Sequence, residues 1–168
     1  MKAMVNTRYG SPDVLQVLEV AKPTPQDNEV LIKVHAVSVN AADLHLLNGK
    51  PFLIRLMGYG FLKPKNKILG AAIAGRIEAI GGNVKQFQPG DDVFGDVSES
   101  GWGGFAEYVC ANADALVLKP ASVTFEQAAA VPMAAITALQ KFRLESPCLC
   151  KRGMKSRSLF RGLSGERE

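Results

Sequence analysis

Polar and apolar positions alternate most cleanly over EVLIKVHAVSV, residues 29–39, where Ile32, Val34 and Ala36 fall on one face and Lys33, His35 and Val37 on the other. A period of two predicts a half-buried strand. Shorter apolar runs at residues 2–8 and 15–20 predict two more strands around the turn of Gly10, Ser11 and Pro12. KILGAAIAGRIEAIG, residues 67–81, sets β-branched residues among small ones. Gly70 and Gly75 would each weaken a helix by about 1 kcal/mol relative to Ala. In a strand they permit bends and close backbone approach, so a buried, curved strand is expected here. VFGDV after the Pro89–Gly90 turn, then GGFAEYVCA and ALVLKP, predict three further short strands.

Helical spacing is confined to two places. Asn40 opens a short segment in which Leu44 and Leu47 are three apart, with Gly49 at its end. Thr124 with Gln127 three residues on forms a capping-box pattern ahead of FEQAAAV, and Pro132 interrupts before MAAITALQKF resumes a helical pattern. Residues 50–67 mix Pro, Gly, Lys and large apolar side chains and are expected to form a loop over a site. Many short strands followed by helices predict a β-barrel-like domain with helices leaving its end.

At 168 residues and 47% hydrophobic, the chain can bury one ordinary core. Neither disorder nor a membrane-spanning protein suits this composition, as no apolar run approaches the roughly 20 residues a bilayer needs. The start MKAMVNTRYGSPD lacks the apolar stretch of a signal peptide, and three cysteines without framework spacing suit a reducing compartment. A cytoplasmic protein is expected. The net charge of +4 is unevenly held: residues 141–168 carry eight Lys/Arg and three Glu, a net of +5, against 12 Lys/Arg and 13 Asp/Glu in residues 1–140, a net of −1.

Most chemistry is excluded by spacing. Asp43 and His45 are two apart, which on a helix aims them away from each other, and no three ligands among His35, His45, Asp43 and Cys110 converge. Cys110 within a strand reads as a small buried side chain. No Gly-x-Ser-x-Gly elbow occurs, and GLSGE near the C-terminus lacks the required strand and helix. Gly101, Gly103 and Gly104 surround Trp102 without a strand feeding a helix, and no Gly-x-Gly-x-x-Gly exists in the chain. The basic end has two aromatics, Phe142 and Phe160, and no helical charge stripe, so a nucleic-acid partner is not expected.

Taken together, EVLIKVHAVSVNAADLHLLNG, ILGAAIAGRIEAIGGNVKQFQPGDDVFG, GGFAEYV and AAAVPMAAITALQ occur in an order and spacing that resembles the N-terminal half of the medium-chain dehydrogenase/reductase superfamily, which includes zinc-type alcohol dehydrogenases and quinone oxidoreductases. The resemblance covers residues 1 to about 140. It implies a mainly β fold with short helices, a GroES-like partial β-barrel, with the Rossmann domain that normally follows missing. Residues 1–140 would form this catalytic domain and 141–168 a basic, disordered tail replacing the linking helix. Zinc-dependent members place a Cys at the start of the first short helix and Gly-His-Glu at the glycine-rich strand; the matching positions here are Asn40, Ala71 and Ala72. The resemblance is therefore to the zinc-free, quinone-oxidoreductase-like branch, although Ala72 stands where that branch usually has Asp.

What the resemblance implies about chemistry is reduction of a quinone or enone by hydride from NADPH or NADH, with no zinc. It implies that Asn40 and Thr137 border the nicotinamide, while Asp43 and Tyr59 line the substrate cleft. Asn40 and Asp43 are equally readable as helix caps, the preferred reading for Asp43, and Thr137 as a hydroxyl bonded to its own helix. The chain alone is expected to bind the cofactor weakly and to be inactive. The other expectation is an interaction module that self-associates through an exposed interdomain surface. No membrane partner is expected.

Overall fold

The computed structural model describes residues 1–50, 63–65 and 67–139. Tyr59, nearly all of the expected loop and the basic tail lie outside the described residues. Among the described residues the main elements follow in the order β1 (Lys2–Asn6), β2 (Leu15–Glu19), β3 (Glu29–Ser38), α1 (Ala41–Asn48), β4 (Ala72–Ile80), β5 (Asp92–Asp96), β6 (Tyr108–Asn112), β7 (Leu116–Leu118) and α2 (Phe125–Ala130). β1 and β2 pair as an antiparallel hairpin. The other five strands form one antiparallel sheet in the order β6-β3-β4-β5-β7. No ladder closes β6 onto β7 among the described residues, so the architecture is the partial barrel that the resemblance implied, mainly β with short helices.

The main core lies on one side of this sheet. Val30 and Ile32 of β3, Ile73 and Ile77 of β4, Val93 of β5 and Val109 and Ala111 of β6 are buried there. Their spacing of two is the reason each strand presents one apolar face inward. β3 departs from the alternation read from its sequence. Its register with β4 shifts between Val34 and Ala36, so His35 has no partner opposite and the strand bulges. Val34 stays with the main core and Val37 joins it, while Ala36 turns to the other side, against Ala74, Phe94 and α2. Ile32, Val34 and Ala36 thus do not share one face.

That other side carries α2. Its capping box forms as read: the Thr124 N–H donates to Gln127 Oε1 at 3.1 Å, and the Gln127 N–H donates to Thr124 Oγ1 at 3.2 Å. The His35 ring, thrown out by the bulge, stacks on Phe125 with centroids 4.5 Å apart. Pro132 has no N–H to give to the preceding turn, and the helix widens into a π-turn over Val131–Ala135 before resuming at 136–139.

Candidate functional site

The site is built where β3 ends, α1 begins and β4 starts. Asn40, in extended conformation, precedes α1. Its side-chain amide turns back along the chain, donating to the Ser38 carbonyl at 3.2 Å and to Ser38 Oγ at 3.0 Å. Ser38 is itself opposite Ala72 in the β3–β4 ladder. This contact was not legible in the sequence, where Ser38 sits in an alternating strand without a marker of its own.

Asp43, three residues into α1, is 3% exposed. One carboxylate oxygen accepts the Asn40 N–H at 2.8 Å, which is the capping role. The other accepts the N–H of Gly70 at 2.9 Å. Burial pushes the Asp43 carboxyl above its ordinary value, against the pull of the N–H groups of Asn40, Gly70 and its own backbone, and Asp96 adds like-charge repulsion. Gly70 has φ +90° and meets residues 104–105: Gly104 N–H donates to the Gly70 carbonyl at 2.9 Å, and Phe105 N–H to the Leu69 carbonyl at 2.9 Å.

Two stitches, the ladder at Ser38–Ala72 and the carboxylate bridge at Asp43–Gly70, therefore hold Asn40 beside the 70–72 segment. Asn40 thereby lies alongside the segment bearing Ala71 and Ala72, and both alanines are fully buried. Alanine methyls and a neutral amide supply no thiolate, imidazole or carboxylate, so the residues at these positions do not fit a zinc ion. Among the described residues no group of three His, Cys, Asp or Glu side chains converges elsewhere.

Beneath this corner lies a second apolar cluster: Leu46 and Leu47 of α1, Leu69, Ala71 and Trp102, with Met133 of the π-turn packed against it. The cluster ties α1 to the segment bearing Thr137. The Thr137 hydroxyl, exposed, donates to the Met133 carbonyl at 2.7 Å, the bond back to its own helix. Its oxygen keeps its capacity to accept. Tyr59 falls outside the described residues.

Residues 26–121 match the alcohol dehydrogenase GroES-like domain family. The chain belongs to that family, and with it to the medium-chain dehydrogenase/reductase superfamily. This GroES-like chain is 36% identical over 150 residues to the quinone oxidoreductase of Sus scrofa, covering 89% of the chain and 42% of that protein. It is 36% identical over 143 residues to the chloroplast envelope quinone oxidoreductase homolog of Arabidopsis thaliana, covering 83% and 41%. Among solved structures, the quinone oxidoreductase from Coxiella burnetii superposes with a TM-score of 0.77 at 34% identity, over 86% of this chain and 44% of that one. The Escherichia coli quinone oxidoreductase complexed with NADPH superposes with a TM-score of 0.71 at 25% identity, over 85% and 40%. The chain spans about two fifths of the length of the curated relatives it matches. No helix among the described residues is long and apolar enough to cross a membrane.

Proposed function

We propose that this GroES-like chain is the substrate-side domain of a zinc-independent oxidoreductase that reduces a quinone or enone with NADPH or NADH. The observation that carries the reading is that the Ser38–Ala72 pairing and the Gly70–Asp43 bond set Asn40 beside the segment of the buried Ala71 and Ala72, the positions where metal-dependent relatives would need ligands and this chain has an amide and two methyls. Support for the substrate class comes from relatives named as quinone oxidoreductases, and for the cofactor from the Escherichia coli structure with NADPH.

The residues present suit a nicotinamide. Asn40 is half-buried and its rotamer is fixed by Ser38, so its amide is held in place before any ligand arrives. Thr137 has spent its proton on Met133 and can only accept, which matches a carboxamide N–H. When bound, the nicotinamide supplies a hydride. The chain's own part is to orient the partners: with their donors engaged by Ser38 and Met133, Asn40 Oδ1 and Thr137 Oγ1 are left as acceptors that hold the nicotinamide, without a Lewis acid.

A 168-residue chain with no Gly-x-Gly-x-x-Gly offers little to the rest of a dinucleotide, so weak binding and no turnover are expected of it alone. Fluorescence titration with NADPH should not saturate in the micromolar range; saturation there would overturn the expectation. With millimolar NADPH, the backbone amide signals of Asn40 and Thr137 should move while those of the β1–β2 hairpin stay fixed. Equal movement everywhere, or none at either residue, would overturn the site.

One observation favours a second reading. Val39 is 77% exposed, Leu44 50% and Leu139 42%, apolar side chains flanking the site and the departing helix. Such a surface suits self-association. Light scattering after size exclusion separates the readings, since a monomer at high concentration removes the second.

A further inference from the structure

The Asp43 carboxylate joins the start of α1 to Gly70 just beyond the Ser38–Ala72 end of the β3–β4 ladder. Its oxygens take one backbone N–H from Asn40 at 2.8 Å and one from Gly70 at 2.9 Å, 27 positions from Asp43 in the sequence. Both acceptor atoms are thereby engaged by backbone, and the side chain is 3% exposed. We propose that Asp43 is a positioning residue: it fixes Asn40 against Gly70, and so against Ala71 and Ala72, and does not itself touch substrate.

The geometry asks for a carboxylate. An Asn at this position would offer one acceptor and one donor to two N–H groups, leaving one of them facing another N–H in a buried place. A longer Glu would not leave both oxygens where they now sit. Gly70 is held on its far side too, its carbonyl taken by Gly104 at 2.9 Å, so the clamp closes on a fixed point rather than a loose loop. The charged group facing Asp43 from the neighbouring sheet is Asp96 at the end of β5. The role rests on the reading of Asn40 as a cofactor contact, but the clamp can be measured without cofactor.

The test is a pH titration of the isotope-labelled chain, following the Asp43 carboxyl carbon and the amide protons of Asn40 and Gly70. The expected result is one common midpoint in all three signals, with the Val30 and Ile32 amides unmoved. Separate midpoints, or still amides while the carboxyl titrates, would overturn the clamp. In Asp43→Asn, amide hydrogen exchange at Asn40 or Gly70 should accelerate about tenfold or more, with Val30 and Ile32 unchanged. Unchanged protection at both would overturn it, and should the variant not fold, the wild-type titration still decides.

With millimolar NADPH, Asp43→Asn should weaken the response at Asn40 while leaving that at Thr137. An Asn40 response equal to wild type would overturn the positioning role. No response at Asn40 in the wild-type chain would overturn the cofactor reading alone, because the titration judges the clamp separately.

Discussion

Gly104 donates its N–H to the carbonyl of Gly70 at 2.9 Å, and the two glycines lie too close for either to carry a side chain undisturbed. A Cβ on Gly70 would meet Phe105 N at 2.7 Å and the Gly104 carbonyl carbon at 2.9 Å, both backbone atoms, and φ at Gly70 is +90°. Gly70→Ala therefore combines a clash that no rotamer change can relieve with a left-handed backbone. A loss of about 3 kcal/mol or more in urea-unfolding free energy is expected. A loss below about 1 kcal/mol would show that the 70–105 contact gives way easily, against the rigid corner described above.

The raised Asp43 carboxyl has a consequence for stability with a definite sign. The folded chain holds this proton to higher pH than the unfolded chain does. Its contribution to stability is greatest below the ordinary carboxylate range and declines as pH rises to the native midpoint, then stays constant. Asp92 and Glu78 run the other way, each lowered first by the hydrogen bond from its cationic partner, Arg76 or Lys22. Comparing wild type with Asp43→Asn cancels those contributions. Wild type should gain on the variant as pH is lowered from neutral, measured by urea unfolding at several pH values. A wild type that loses ground instead would mean that the N–H donors outweigh burial.

Cys110 should be a slow nucleophile. Burial, with Glu29 nearby as a smaller cause, pushes its thiol from 9.0 to about 11. That shift lowers the thiolate fraction at neutral pH about 100-fold. The more basic thiolate recovers roughly tenfold in reactivity, leaving a net slowing of about tenfold. Iodoacetamide labelling of the Cys110 peptide, folded against urea-unfolded and read by mass spectrometry, checks this. Equal rates would argue against the burial.

What the sequence disclosed was whatever local spacing controls. The strand of residues 29–39, the Thr124–Gln127 capping box and the break at Pro132 all depend on neighbours within four positions. The His35 bulge was hidden because a bulge is set by pairing with β4, and the strand's own alternation continues through it. The site was legible in one part only. Asn40 and Asp43 could be marked as a helix start, but the second oxygen of Asp43 reaches Gly70, and no local pattern announces a bond across 27 positions. The turn of the Asn40 amide toward Ser38 was equally invisible, since it depends on which rotamer the corner admits.

Trp102 supplies the sharpest test of the corner's packing. It holds φ at 69° between Gly101 at 98° and Gly103 at 115°, a left-handed run in which a bulky residue is strained. Yet it is only 7% exposed, clustered with Leu46, Leu47, Leu69 and Ala71. Removing a buried indole costs about 3–5 kcal/mol, whereas the left-handed backbone costs about 1–2 kcal/mol, so packing outweighs strain. Both Trp102→Ala and Trp102→Gly should be less stable than wild type. Alanine keeps the strain, and glycine relieves it at an added unfolded-state entropy of about 0.5–1 kcal/mol. Trp102→Gly should consequently be the more stable variant by about 0.5–1 kcal/mol, reversing the usual order of Ala and Gly. Urea unfolding of the three proteins reads the order directly. If the alanine variant proves the more stable, residue 102 does not hold a left-handed backbone in solution.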